Sequence, residues 1–240
     1  MNKVALVTGG TRGIGADISR QLQSAGRTVV ASYAGNDAAA EAFKAETGIH
    51  VMKFDAGDYA ACEAAVARIT SEIGPIAILV NNAGITRDST IARLTRDMWD
   101  AVMDTNLGSC FNLCKLTFDS MKAAKFGRVV NIGSINGQAG QYGQVNYAAA
   151  KSGIHGFTKA LAQEGARYNI TVNAIAPGYV DTEMVRAVPA DVLQKIVARI
   201  PVGRLGHASD IARGVCFLTA DDADFITGST LSINGGQHMY

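Results

Sequence analysis

The chain has 240 residues, of which 48% are hydrophobic and 18% are charged, a composition typical of a globular protein that folds without disulfides. A formal net charge of +1, without a lysine- or arginine-rich run, excludes the usual footprint of a nucleic-acid partner. Because no apolar run approaches ~20 residues and the N-terminus has no room for a signal sequence, we expect a cytoplasmic protein without a membrane partner.

Short β-branched runs alternate with longer stretches of helical periodicity. In chain order, the predicted elements are a strand at Val4–Thr8, a helix with the inward stripe Ile14, Ile18, Leu22 and Ala25, a strand at Thr28–Tyr33, a helix at Ala38–Glu46, a strand at Ile49–Phe54, a helix at Ala60–Ile73, a strand at Ile76–Val80, a helical stretch capped by Thr95 and running through Met121, a strand at Arg128–Ile132, a helix at Tyr147–Tyr168, and strands at Thr171–Ile175 and Leu231–Ile233. This alternation predicts an α/β fold: a single doubly wound parallel sheet, Rossmann-like and of about seven strands, with helices on both faces. No linker or repeat interrupts the chain, so we expect one domain over residues 1–240.

The stretch Asp181–Ile200 is the least sheet-like part of the chain. It follows the sixth strand and therefore falls at the carboxyl edge of the sheet, where ligands bind in such folds. We expect it to form a mobile lid over the substrate. A helical hairpin that simply packs against the sheet is the alternative.

The four cysteines are Cys62, Cys110, Cys114 and Cys216, and no two of them form a C-x-x-C pair. Cys110 and Cys114 are spaced to share a helix face, but two thiols without further ligands make a poor zinc site. We interpret the cysteines as small core residues and predict no metal site.

The turn after the first strand reads Thr8-Gly-Gly-Thr-Arg-Gly-Ile-Gly15 and opens a helix. In this position Gly9 permits a sharp turn, Gly13 lets the backbone approach a pyrophosphate, and Gly15 lets the helix pack close to the strand. Free N–H groups at the helix N-terminus favour phosphate. The turn therefore predicts dinucleotide binding, through Gly9, Thr11, Arg12, Gly13, Ile14 and Gly15.

The end of the second strand indicates which dinucleotide binds. The strand ends at Ser32-Tyr33 without the carboxylate that usually accepts hydrogen bonds from the ribose of NAD. Asp37 follows Gly35-Asn36 and is interpreted as a helix N-cap. Arg12 is suited to pair with a 2′-phosphate, although it is also suited to be a solvated loop residue. These features favour NADP(H), with Ser32 at the ribose.

Tyr147 and Lys151 are four residues apart and therefore share one face of a helix. A phenol with its ordinary pKa near ~10 is a poor acid–base catalyst at neutral pH, and a nearby lysine cation is expected to lower that pKa. Ser134 ends the fifth strand at the carboxyl edge, where its hydroxyl can hold a carbonyl oxygen that gains negative charge. These three residues predict hydride transfer to a carbonyl, with Tyr147 as the proton donor.

Over its whole length the chain resembles the short-chain dehydrogenase/reductase family. The matching motifs are Thr8–Gly15, Asn81-Asn82-Ala83-Gly84, Asn106, Ser134, Tyr147 with Lys151, and Pro177-Gly178. The resemblance implies an Asn106-Ser134-Tyr147-Lys151 tetrad in which Asn106 holds Lys151 through a water. It also implies that Asp55 contacts the adenine, that Lys151 binds the nicotinamide ribose, and that the protein is a homotetramer. The further cofactor contacts implied are Asn82, Ala83, Gly84, Tyr147, Pro177 and Gly178.

Within this family the chain most resembles reductases that convert acetoacetyl-CoA to (R)-3-hydroxybutyryl-CoA for polyhydroxybutyrate synthesis. The likeness lies in Gly84–Asp88, in the segment from Asn136 to Tyr147, and in Asn234–Met239. It implies a small-molecule acyl thioester as substrate. The residues expected to bind it are Asp88, Ser134, Gln141, Tyr142, Gln144, Tyr147 and Tyr179. The glutamine amides are suited to donate hydrogen bonds to a thioester carbonyl. Tyr142 is suited to limit the length of the acyl chain, and Tyr179 is suited to form the opposite wall of the pocket. Alternatively, each of these side chains forms hydrogen bonds with backbone groups of its own loop.

Two other functions are weighed. The 3-oxoacyl-acyl-carrier-protein reductases of fatty acid synthesis share these motifs, but they need basic residues to grip an acidic carrier protein. Lys125 matches one such position, whereas Tyr168 stands where the other would be basic. A dinucleotide-binding scaffold without catalysis is the remaining alternative, and the intact tetrad argues against it.

Overall fold

The computed structural model describes residues 3–186 and 190–239. The strands in these residues are β1 Val4–Val7, β2 Thr28–Tyr33, β3 His50–Lys53, β4 Ile76–Asn81, β5 Gly127–Ile132, β6 Ile170–Pro177 and β7 Thr230–Ile233. The helices are α1 Gly13–Ser24, α2 Asp37–Thr47, α3 Tyr59–Glu72, α4 Arg96–Met103, α5 Ser109–Ala124, α6 Ile135–Ala139, α7 Val145–Gly165, α8 Glu183–Arg186, α9 Ala190–Val197 and α10 Ala208–Leu218. Within the described ranges, none of these helices has the length and apolar character that crossing a membrane requires.

The strands form one parallel sheet in the order β3-β2-β1-β4-β5-β6-β7. The order reverses at β1, because β2 and β3 extend the sheet to one side and β4 to β7 extend it to the other. Crossovers on the two sides therefore leave β1 and β4 in opposite directions and open a crevice at their carboxyl ends. The predicted doubly wound, Rossmann-like fold is confirmed.

Apolar side chains from alternate strand positions form a core on each face of the sheet. Val4 and Leu6 of β1 pack on the face covered by α3, α5 and α7. Ala5 and Val7 pack on the face covered by α1, α2 and α10. Since both faces are covered, the central strands are buried along their whole length rather than at alternate positions, as β1 and β6 illustrate.

One local prediction, the N-cap of α2, is wrong. Asp37 is not the cap of α2: the side chain of Asn36 caps it by accepting from the Ala39 N–H at 2.9 Å, and Asp37 occupies the first helical position. The cap lies one residue earlier than predicted. Asn and Asp have similar preferences for the N-cap position, so only the backbone geometry distinguishes Asn36 from Asp37. The predicted helical stretch capped by Thr95 and running through Met121 is confirmed: the Thr95 hydroxyl accepts from the Met98 N–H, and α4 continues into α5 through a π-helical turn at Asp104–Gly108.

The expected lid segment 181–200 contains the short helices α8 and α9, and its residues 187–189 lie outside the described residues. The segment begins at an isolated bridge between Val180 and Gly206, and Asp181 N–H donates to the Gly206 carbonyl at 2.8 Å. Its expected mobility stays a prediction.

We expect Gly15→Ala to destabilise the fold, because an added Cβ would lie 2.1 Å from the Gly9 carbonyl oxygen, a backbone atom that cannot easily move. Overpacking of this kind costs ~1–3 kcal/mol in free energy of unfolding. The matched control is Gly156→Ala in α7, where a Cβ meets nothing within 4 Å, so better helix propensity should stabilise by up to ~1 kcal/mol. The melting temperature, measured by circular dichroism, should fall for Gly15→Ala and rise for Gly156→Ala. A shift of both melting temperatures in the same direction would contradict the packing argument.

Candidate active site

A cavity of about 770 Å³ lies in the crevice at the carboxyl edge of the sheet. Its size is within the range of small-molecule and cofactor sites. It is lined by every residue predicted from sequence to bind the cofactor: Gly9, Thr11, Arg12, Gly13, Ile14, Gly15, Ser32, Asp55, Asn82, Ala83, Gly84, Tyr147, Lys151, Pro177 and Gly178. The structure thus brings these residues together, and their contacts with a dinucleotide stay a prediction.

The glycine-rich turn has the geometry of a phosphate cradle. Gly9 adopts a φ of +59°, which favours glycine, and Gly15 packs directly under the Gly9 carbonyl. Arg12 precedes α1 in an extended conformation, and its side chain makes no capping hydrogen bond. The first N–H groups of α1 consequently have no capping side chain, and a helix N-terminus of this kind attracts phosphate. These residues fit a dinucleotide pyrophosphate.

Hydrogen bonds between the ends of β1 and β4 hold the crevice in shape. The Thr8 hydroxyl accepts from the backbone N–H groups of Asn82 and Ala83, each at 2.9 Å. The Asn82 side-chain amide donates to the carbonyls of Thr8, at 2.8 Å, and Gly9, at 3.2 Å. The two loops that flank the strand-order reversal are therefore held to one another by side chains.

Among the described residues, the lining segment at the end of β2, Ser32 to Asn36, carries no carboxylate. Asp37 accepts from the Lys53 ammonium at 2.9 Å and is not part of the lining. The hydrogen bond from Lys53 holds the pKa of Asp37 below its usual range. Arg12 lines the cavity with a half-exposed side chain and lies 3.6 Å from the exposed Glu183 carboxylate.

The predicted catalytic residues meet where β5 and α7 adjoin. Ser134 follows β5 and caps α6, accepting from the Asn136 N–H at 3.1 Å. Tyr147 and Lys151 lie on one face of α7, with the Lys151 Nζ 5.7 Å from the Tyr147 ring centroid. Lys151 is 3% exposed and donates to the Ile132 carbonyl at 2.7 Å.

Burial dominates the protonation of these two groups. Burial raises the pKa of Tyr147 above its usual value, and a hydrogen bond with Ser134 opposes the rise only in part, while the Asp88 charge adds to it. Burial lowers the pKa of Lys151 to about 8. The expected lowering of the Tyr147 pKa is therefore not found in this structure, because desolvation outweighs the opposing hydrogen bond with Ser134.

Asn106 lies in the π-helical turn and is 1% exposed, although a polar amide in a helix usually faces water. Its side chain pairs with the backbone of Ile85 in both directions: Oδ1 accepts at 2.7 Å and Nδ2 donates at 3.0 Å. This pairing fixes the loop after β4 beside Gly84. Asn106 does not line the cavity, and its water-mediated link to Lys151 stays a prediction.

The predicted substrate residues separate into two groups. Gln144 and Tyr179 line the cavity together with Ser134 and Tyr147. Gln141 and Tyr142 do not: both are exposed, and Tyr142 is 87% exposed. Asp88 is also outside the lining, but its carboxylate accepts from the Gln144 amide at 2.8 Å.

Several lining residues were not predicted. Asn136 lines the cavity two residues after Ser134, and its place beside that catalytic hydroxyl is the signal that could have identified it. Thr182, Glu183 and Val185, from the expected lid segment, also line the cavity. No periodicity distinguishes these three, since their position depends on how the segment folds back.

Residues 3–193 match the family model of the short chain dehydrogenases, so the chain belongs to this family, whose fold binds a nicotinamide dinucleotide. The chain is 60% identical over 238 residues to the acetoacetyl-CoA reductase of Shinella zoogloeoides, covering 99% of each chain. It is 58% identical over 240 residues to the acetoacetyl-CoA reductase of Rhizobium meliloti, covering 100% of each. It is also 44% identical over 239 residues to a 3-oxoacyl-acyl-carrier-protein reductase of Haemophilus influenzae, covering 99% of this chain and 98% of that one.

We expect Lys151→Met to raise the free energy of unfolding at neutral pH. The folded-state pKa of about 8 lies below the ordinary value of 10.5, so between these pH values the unfolded state binds more protons and stability increases with pH. Below pH 8 the buried cation imposes its full cost. The advantage of the variant should therefore shrink by ~1 kcal/mol per pH unit above pH 8.

Chemical denaturation of both proteins at pH 7, 8.5 and 10 measures this difference. Lys159→Met is the matched control, because Lys159 is exposed in the same helix. A stability difference for Lys151→Met that does not change with pH would show that its ammonium keeps an ordinary affinity for protons.

Proposed function

We propose that this protein reduces the 3-oxo group of acetoacetyl-CoA with NADPH, forming (R)-3-hydroxybutyryl-CoA for polyhydroxybutyrate synthesis. The observation that carries the proposal is the adjacency of Ser134, Tyr147 and Lys151 in the dinucleotide-sized cavity. The full-length similarity to proteins named acetoacetyl-CoA reductase supports the substrate. An intact catalytic group argues against a scaffold without activity.

NADPH, when bound, supplies the hydride. Tyr147 then acts as the acid: its raised pKa keeps the phenol protonated at neutral pH, ready to donate to the carbonyl oxygen. The Ser134 hydroxyl holds that oxygen as its negative charge develops. The buried Lys151 ammonium stabilises the phenolate that remains on Tyr147 after proton transfer.

The preference for NADPH rests on charge at the end of β2. The Asp37 carboxylate is paired with Lys53 outside the cavity. Arg12 lines the cavity, and its guanidinium is suited to bind a 2′-phosphate. Arg12 faces Glu183 at 3.6 Å in an exposed ion pair, which contributes little to stability and can be exchanged for a phosphate contact.

A carrier-protein thioester is the second candidate substrate, supported by similarity to the Haemophilus influenzae reductase. Tyr168 lacks the expected positive charge, but the Arg167 guanidinium lies 4.7 Å from its ring centroid and supplies basic charge at this surface. Lys125 is exposed nearby, where its carbonyl accepts from Asn169. Basic surface charge is therefore present near Tyr168. Because Lys125 precedes β5 and Arg167 precedes β6, this charge lies at the amino edge of the sheet, opposite to the cavity.

The predicted homotetramer and cytoplasmic location remain part of this proposal. Phe111 on α5, Phe217 on α10 and Phe225 are 55%, 57% and 100% exposed. Association of copies would cover apolar surface of this kind.

The decisive test is steady-state oxidation of NADPH with acetoacetyl-CoA and with acetoacetyl-acyl-carrier-protein. We expect the wild type to have the higher kcat/KM for the CoA ester, and Tyr147→Phe to lose ~10²–10⁴-fold in kcat because the proton donor is gone. The Kd for NADPH, measured by fluorescence, should change little in this variant. A carrier-protein preference that disappears in Arg167→Ala would instead support the second candidate, and full turnover by Tyr147→Phe would remove Tyr147 from the mechanism.

Cofactor choice is tested by Arg12→Ala. Loss of a charge-assisted contact from a half-exposed arginine should reduce the kcat/KM ratio of NADPH over NADH ~10-fold, mainly through KM for NADPH. Arg20→Ala is the matched control, because Arg20 lies in α1 but pairs with Glu46 outside this cavity. An equal ratio in both variants would assign recognition of the 2′-phosphate to another residue.

A further inference from the structure

The side-chain amide of Gln144 is held at both of its ends. Asn136 Nδ2 donates to Gln144 Oε1 at 2.9 Å, and Gln144 Nε2 donates to the Asp88 carboxylate at 2.8 Å. Gln144 and Asn136 line the cavity that contains Ser134 and Tyr147, whereas Asp88 stands behind them. Three residues from three separate segments thus form one hydrogen-bonded chain along the cavity wall.

The chemistry of these partners allows one direction for the amide. An ionised carboxylate only accepts hydrogen bonds, so Gln144 must turn its NH₂ group toward Asp88. Asn136 donates with its own NH₂ group, so Gln144 must present its oxygen there. A reversed amide would place its oxygen against the carboxylate and leave a polar group without a partner, which is costly.

The backbone on both sides of the chain is fixed as well. The Ser89 N–H donates to the Gly143 carbonyl at 2.8 Å, which joins the residue after Asp88 to the residue before Gln144. Asn146 is fully buried, and its amide donates to the Arg87 carbonyl at 3.0 Å. Asp88 is exposed, yet the residues on either side of it, Arg87 and Ser89, are both hydrogen-bonded to the segment that contains Gln144.

We propose that Asp88 and Asn136 are positioning residues that orient the Gln144 amide so that its second N–H donates to the thioester carbonyl of the substrate. The inference rests on the proposed function, because it needs a second carbonyl next to the one that is reduced. The remaining Nε2 N–H of Gln144 has no partner among the described residues. Asn136 connects this amide to the proposed ketone site, because its backbone N–H donates to the Ser134 hydroxyl at 3.1 Å and its side chain donates to Gln144 at 2.9 Å.

This arrangement makes the site selective for substrates that carry a second carbonyl oxygen as a hydrogen-bond acceptor. A 3-oxoacyl thioester offers a carbonyl oxygen to the N–H at this position. A ketone without a second carbonyl leaves the donor unpaired, and such a mismatch discriminates between substrates more strongly than apolar contacts do.

The test is a charge-preserving swap of the two flanking residues. Asn136→Asp alone places a carboxylate against Gln144 Oε1, so we expect a lower melting temperature and a KM for acetoacetyl-CoA raised ~10-fold. The double variant Asp88→Asn with Asn136→Asp restores complementary partners but reverses the amide. Its melting temperature should return to near the wild-type value, while its KM stays raised and its kcat changes little.

Gln138→Glu is the matched control, since Gln138 lies in the same short helix α6 but pairs with Ser232 outside the cavity; its KM should not change. Recovery of KM together with the melting temperature in the double variant would overturn the inference, because the amide direction would then not matter. An unchanged KM in Asn136→Asp would overturn it too. Failure of the wild type to reduce acetoacetyl-CoA would instead overturn the proposed function, and the inference with it.

Discussion

The reversal of strand order at β1 is the constraint on which the site depends. All strands are parallel and end at one edge, and the crossovers from β1 and β4 leave in opposite directions there. The crevice between them needs close backbone packing, which Gly9 and Gly15 permit, and a connection across it, which Thr8 and Asn82 provide. The position of the crevice therefore follows from the topology, and these residues hold it in shape.

Burial of charge is the second theme of the site. Lys151 is 3% exposed and its ammonium donates to the Ile132 carbonyl, so burial of this charge costs stability. Burial likewise raises the pKa of Tyr147 and so keeps its phenol protonated at neutral pH. A cation that is poorly stabilised before the reaction is well placed to stabilise a phenolate once one forms, because low polarity strengthens the attraction between them.

Polar side chains around the cavity act mainly by orienting one another. The Asn106 side chain pairs with the backbone of Ile85, and the Gln144 amide is held between Asn136 and Asp88. Each of these amides is thereby held in one orientation.

The sequence by itself determined the order of strands and helices, the glycine-rich cradle and the Tyr147–Lys151 pair, because each depends on local periodicity or on residues close along the chain. The choice of Asn36 over Asp37 as a cap, the π-helical turn around Asn106 and the exposed position of Tyr142 were decided by tertiary structure. The direction of the Tyr147 pKa shift also belongs to this second group, since desolvation depends on every segment that packs around a side chain. So does the contact of Gln144 with Asp88, which lies 56 residues earlier and meets it only when the sheet has assembled.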